Sequence, residues 1–256
     1  MNKRKLLLVA LSLCMVAILA MGGTLAYLTD TDSQLNVMTL GKVDISQNEQ
    51  QQGENGELVD FAQNKPLLPM VDSRAEGEPV VDEDGYFHDD MNNVVDKIVT
   101  VKNEAKEGAI NQEVYVRTIL AFETNKEYAA GSDTVLRDGK EIFDTYIGYL
   151  GDFELLERDT IVIEGVEYVL AVKVYEDYLE PQEVSEPSLK QIFMSPDANN
   201  ENMILFGDTY TILALSQGVQ VAGFENAKDA LDRAFGDLET IPEATLIEWL
   251  SGLVAE

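Results

Sequence analysis

The chain has 256 residues, enough for one large domain or two small ones, and it is strongly acidic: 47 Asp and Glu stand against 18 Lys and Arg, a net charge of −29. Such a surface repels nucleic acid and anionic lipid headgroups, which excludes DNA or RNA binding and leaves divalent cations or a basic partner as the charged ligands it would attract. The one cysteine, Cys14, lies in an apolar leader, so the residues beyond it form no disulfide and offer no thiolate to a metal.

The first element is that leader. Asn2, Lys3, Arg4 and Lys5 form a short positive head, residues 6–21 are an apolar run, and Gly22, Gly23, Thr24, Leu25 and Ala26 supply small residues before Tyr27. This is the three-part layout of a secretory signal peptide. Thr24 and Ala26 stand at −3 and −1 for a cut before Tyr27, where a signal peptidase accepts small side chains. The alternative is an uncleaved anchor, the one way this chain would hold a membrane; the run is short of the roughly 20 residues of a full span.

Residues 36–45 alternate, with Val37, Thr39, Gly41, Val43 and Ile45 on one face, the period of a strand. The run QNEQQQGEN (47–55) reads as a polar loop, and acids and turn formers dominate as far as Asp96. Within that stretch Asp82-Glu83-Asp84-Gly85 has oxygen ligands suited to calcium, with Asp82 and Asp84 as the candidates. Its glycine comes fourth rather than sixth, so the spacing is not that of an EF-hand, and an acidic turn is the plainer reading.

Val114, Val116, Thr118, Leu120 and Phe122 share one face of a strand. Ile161 and Ile163, a turn at Glu164-Gly165, and Val166, Tyr168, Leu170, Val172 and Val174 read as a hairpin. Residues 210–221 are apolar on both faces, the pattern of a buried central strand. Ala227, Ala230, Leu231, Ala234 and Phe235 make a helical stripe, and Thr240, Pro242 and Glu243 predict a capping box ahead of a second helix facing inward through Leu246, Ile247, Leu250, Leu253 and Val254.

Catalytic groups are scarce. There is one histidine, His88, and no H-E-x-x-H, so a zinc protease lacks its usual ligands, and a Ser–His–Asp site would have a single base to draw on. His88 itself reads as a loop residue. The expectation is a protein that is not an enzyme and needs no cofactor, calcium being the one ion its acids admit.

Several of these segments resemble the TasA/camelysin family of exported proteins of Gram-positive bacteria. The leader ends GGTLAYLTD, matching the family's Gly-Gly-Thr-x-Ala and aromatic start at Gly22, Gly23, Thr24, Ala26 and Tyr27; Leu28 stands where phenylalanine is usual. LGKVDIS follows, with Leu40, Gly41, Val43, Asp44 and Ile45 in the family's strand pattern. KIVTVKN (97–103) with EVYVRTILAF (113–122) is similar to its hairpin, and PSLKQIFMS (187–195) with residues 213–236 to the C-terminal signature of clostridial members. The acidic stretches between are not covered.

The resemblance implies a mainly β protein, a jelly-roll-like antiparallel β-sandwich with short helices, two of them near the C-terminus, preceded by a signal-peptide helix. Residues 1–26 would be the signal peptide. Residues 27–256 would be a single sandwich domain with a long acidic, partly irregular insertion around 47–96 and helices around 226–253. It implies processing by a signal peptidase of the SipW type, a secreted, cell-surface-associated location, and a structural role in the biofilm matrix with itself or other matrix proteins as partners. A donated N-terminal strand built on Val37, Thr39, Gly41, Val43 and Ile45 would complete a neighbour's sheet through backbone hydrogen bonds. Camelysin's classing as a metalloprotease, and a monomeric surface adhesin or binding module, are the alternatives.

Overall fold

The computed structural model describes residues 37–40, 43–62, 65, 67–110, 112–125, 138–198 and 210–254. Its organisation follows from β7 (Val114–Asn125), where successive side chains point to opposite faces and both faces are buried. Leu120 and Phe122 look one way and Ile119 and Ala121 the other, and each of the four is fully buried. A strand of this kind must be covered on both sides.

Two sheets result. The first runs in the order β1 (Val37–Leu40), β13 (Ile212–Gln220), β7, β11 (Val166–Val174) and β10 (Ile161–Ile163), with β9 (Glu154–Leu155) beside the far half of β11. All its pairs are antiparallel except β1, which lies parallel to β13. The second runs β3 (Leu58–Asp60), β2 (Ile45–Gln52), β6 (Val95–Asn103), β12 (Leu189–Met194) and β8 (Ile147–Gly151), antiparallel throughout. A ribbon of β4 (Val71–Asp72) and β5 (Met91–Asn92) stands apart. The protein is thus mainly β, as expected.

One apolar cluster joins the sheets: Leu120, Phe122, Val169 and Ala171 of the first meet Val99, Leu189, Ile192 and Met194 of the second. Helix α1 (Gly139–Tyr146) adds Ile142, Phe143 and Tyr146 to the same cluster. The far face of the first sheet is covered by α2 (Ala227–Phe235) and α3 (Glu243–Ser251). Leu246 and Leu250 pack with Ile119, Leu213 and Leu215, and Ala227, Ala230 and Leu231 with Tyr115 and Val219. Both helical stripes therefore face inward. Asn226 caps α2 by accepting from Asp229 N at 2.8 Å, satisfying one of the donors a helix start leaves over.

The expected capping box before α3 does not form. Thr240 N and Ile241 N both donate to Asp237 O, so Thr240 is held inside a turn, Pro242 takes the cap position, and no side chain caps the helix.

The hairpin of β10 and β11 stands as expected. Glu164 and Gly165 both have positive φ, 53° and 84°, the two-residue turn whose twist matches its strands. A branched side chain is disfavoured there, and Gly165→Val is expected to cost about 1–2 kcal/mol, read as a lower urea midpoint at unchanged slope.

Two connections differ from expectation. Residues 97–103 and 113–122 do not pair as a hairpin: β6 belongs to the second sheet and β7 to the first. Asn103 accounts for the crossing. Its Nδ2 donates to Gln112 O and Leu179 O, and its Oδ1 accepts from Ala105 N, so the chain is turned out of its ladder at that residue.

The run QNEQQQGEN is a strand as far as Gln52 rather than a loop. Its backbone pairs with β6 from Ile45 to Gln50, and its polar side chains find partners inside. Gln47 Nε2 donates to Ala214 O at 3.1 Å, Gln47 Oε1 accepts from Ser216 Oγ at 2.7 Å, and Glu49 pairs with Lys97 beneath the Phe61 ring. Hydrogen bonding removes the penalty for burying these groups.

The acid-rich segment that follows docks on β12. Phe87 N donates to Gln191 Oε1, the Phe87 and Phe193 rings meet edge to face at 5.2 Å, and Met70 N donates to Met194 O.

Candidate functional site

Parallel strands cannot be joined by a tight turn, so β1 must reach β13 from elsewhere in the fold. It does so from β2 in the opposite sheet. Val37 pairs with Ser216, Met38 with Gln217, Thr39 with Gly218 and Leu40 with Val219; five residues later Ile45 pairs with Asn103 in the second sheet. Val43 and Asp44, the described residues just before β2, lie at the crossing from one sheet to the other.

The crossing is where the N-terminal segment is anchored. Val43 and Ile45 are both buried, in a cluster with Val101, Val114, Val116, Tyr175 and Leu179. They pass over β13 at Gly218, where a Cβ would stand 2.9 Å from Ile45 Cδ1 and 3.2 Å from Val43 Cγ1. A glycine is needed there for close approach. Asp44 O accepts from Glu104 N at 2.7 Å and holds the crossing to the end of β6.

The single continuous donor strand expected over Val37, Thr39, Gly41, Val43 and Ile45 is therefore corrected. Val37 and Thr39 lie in the first sheet, Val43 in the crossing and Ile45 at the start of the second sheet, because two buried apolar residues draw the chain inward. Gly41 lies outside the described residues, as do Thr24, Ala26 and Tyr27.

The calcium candidates sit in a turn between Val81 and Phe87. Asp82 Oδ1 accepts from Asp84 N at 3.0 Å and from Tyr86 N at 2.9 Å, so this carboxylate closes its own turn. His88 Nδ1 accepts from Asp90 N at 3.2 Å. Among the described residues no group of three or more His, Cys, Asp or Glu is placed to hold a metal ion.

A second feature has no counterpart in the sequence reading. An open cleft of about 830 Å³ lies beside α2 on the far face of the first sheet, with Arg117, Phe153, Glu154, Lys173, Lys228 and Asp237 among its lining. Arg117 comes from the first half of β7 and is 1% exposed. Its Nε donates to Gln217 Oε1 at 2.7 Å, and its terminal nitrogens to Asp232 Oδ1 at 3.1 Å and Gly236 O at 3.0 Å. Lys228 pairs with the other oxygen of Asp232.

Burial draws the Arg117 pKa down to about 10, against the pull of Asp232, which favours the charged form. The guanidinium is cationic at neutral pH and fastens α2 to two strands. Its signal in the sequence was the one basic residue within EVYVRTILAF: an arginine in a strand apolar on both sides must find partners.

Compared with known proteins, the chain matches no family model, no curated protein and no solved structure.

Proposed function

We propose that this chain is the precursor of a secreted structural protein of the extracellular matrix, similar in kind to TasA-type fibre subunits. In this reading the two sheets form a jelly-roll-like sandwich and the leader is removed before Tyr27. The protein works by assembly rather than catalysis, takes no obligatory cofactor, and its partners are further copies of itself or other matrix proteins.

The observation that carries the reading is β1. It is four residues long and, among the described residues, pairs with β13 alone, at the end of a sheet and in parallel. Backbone bonds made by such a strand are the same whether it comes from its own chain or a neighbour's, and exchange costs only the opening of a short ladder. The leader resemblance adds the secretory context.

The test is to express the chain in a Gram-positive host and sequence the N-terminus of the protein in the medium, expected to begin at Tyr27. Electron microscopy of that protein should show filaments, and a variant lacking residues 37–40 should show none. Filaments unaffected by the deletion would reject strand donation; a monomer under all conditions would reject the fibre reading. The second outcome would favour a surface binding module, for which the cleft over Arg117 is the natural ligand site.

A further inference from the structure

We propose that β8 is a pairing edge for a second copy of this chain, joined antiparallel about a two-fold axis at Tyr149. The backbone sets the stage. Ser195 N donates to Tyr146 O, and β8 then pairs Ile147 with Met194, Gly148 with Phe193 and Tyr149 with Ile192. In an antiparallel ladder alternate residues turn their N–H and C=O toward the neighbour. Tyr146 and Gly148 therefore face β12, while Ile147 and Tyr149 face out. Ile147 N–H is taken by Phe143 O at the end of α1, and β8 has β12 as its one strand partner among the described residues.

Exposed edges are normally guarded by charge, brevity or a cover. The other edges follow this rule: β3 ends in Asp60 and follows Glu57, β9 carries Glu154, β10 packs against α3, and β1 has four residues. β8 reads IGYLG, five residues without a charge. Packing explains its glycines: no Cβ fits at Gly148 beneath the Phe193 ring, and one at Gly151 would stand 2.7 Å from Ser188 O. Tyr149 is 37% exposed and carries no charge to guard the edge. Its ring instead lies on Phe153 at 4.5 Å and Phe143 at 5.8 Å, extending an aromatic stack to the surface.

Charge selects the occupant. A chain of net charge −29 meets its own copy most readily where charge is sparse. β8 is uncharged, Asp152 just beyond it is paired with Lys173, and Asp144 of α1 is the acid whose field reaches Tyr149. A basic partner would gain little on this edge. Antiparallel pairing with a second copy sets Tyr149 opposite its partner's Tyr149, an aromatic cross-strand pair, and Ile147 opposite its partner's Gly151. Two five-residue strands bury less than the roughly 1,200 Å² at the low end of stable interfaces, so the pair forms at high local concentration, as in a matrix. The contact is closed by its symmetry and stands independently of strand donation.

The test is sedimentation of the full chain between about 10 μM and about 1 mM, a range that spans weak association. An approximately twofold rise in mass is expected, with amide exchange slowing at residues 147–151 as the concentration rises. Tyr149→Pro removes an outward N–H and leaves the β12 ladder its bonds, so the rise should vanish; Tyr149→Phe should keep it. A monomer throughout, or protection gained at residues 37–40 and not at 147–151, overturns the proposal. The exchange measurement decides the matter on the unaltered chain if Tyr149→Pro fails to fold.

Discussion

Arg117→Ala is expected to destabilise the protein by about 3 kcal/mol and to loosen α2 before the sheets open. Three donors of one guanidinium reach three separate structures: Gln217 on the adjacent strand, Asp232 within α2, and the carbonyl of Gly236 at the end of that helix. Truncation leaves Gln217, which is fully buried, without the donor its side-chain oxygen now uses, and opens a void beneath the helix. Asp232 suffers less, since its side chain is 23% exposed and keeps Lys228, which places the loss at the lower end for a broken buried pair.

Lysine should not rescue the variant, because a point charge cannot bond in three directions as the planar fork does. Asp232→Asn, which keeps shape and an acceptor oxygen, should cost about 1 kcal/mol. Urea unfolding gives the totals, and amide exchange in residues 227–235 should rise first in Arg117→Ala. Equal losses in Arg117→Ala and Asp232→Asn would mean that the ion pair, and not the three-way fastening, holds the helix.

What could be read from the sequence and what could not divide along physical lines. Period-two and helical patterns report which face of an element is buried, and they placed β7, the β10–β11 hairpin, β13 and the stripes of α2 and α3. Patterns do not report which sheet a strand joins. Val43 and Ile45 continue the alternation of Val37 and Thr39, so the crossing between sheets is invisible until Gly218 on a distant strand shows why the chain passes there.

Composition misled at residues 47–52 for a related reason. A glutamine-rich run looks like a loop when burial is equated with apolarity, yet Gln47 is satisfied by Ala214 O and Ser216 Oγ, and Ser216 lies 3.2 Å from Thr118 Oγ1 in a polar seam between the sheets. Such partners lie more than 160 positions away in the chain. Arg117 was the opposite case, a visible exception in an apolar strand whose partners only the fold reveals. Asp82 carried the right atoms for calcium, and its own turn uses one of them.

Gly218→Val is expected to cost about 3 kcal/mol, the upper end for overpacking a filled interior, with the loss concentrated at the N-terminal strand. The first added atom would stand 2.9 Å from Ile45 Cδ1 and 3.2 Å from both Val43 Cγ1 and Val114 Cγ2. Val114 is fixed by its ladder with β13, whereas Val43 sits in the crossing and Ile45 at the very end of the β2 ladder, so the crossing should give way. Amides of residues 37–40 should then exchange faster while those of β7 keep their protection, because its pairing with β13 and β11 is long and antiparallel. The effect on assembly follows. If copies join by exchanging β1, a variant whose own β1 is released more readily should form filaments faster at equal concentration, despite being less stable. Ile45→Val removes the Cδ1 that meets the new side chain, so the pair Gly218→Ala with Ile45→Val should cost less than the sum of its parts and return the exchange of β1 toward its original rate. Faster exchange of β1 without faster filament growth would separate the two questions: Gly218 would still hold the strand in place, and strand release would no longer be the step that governs assembly.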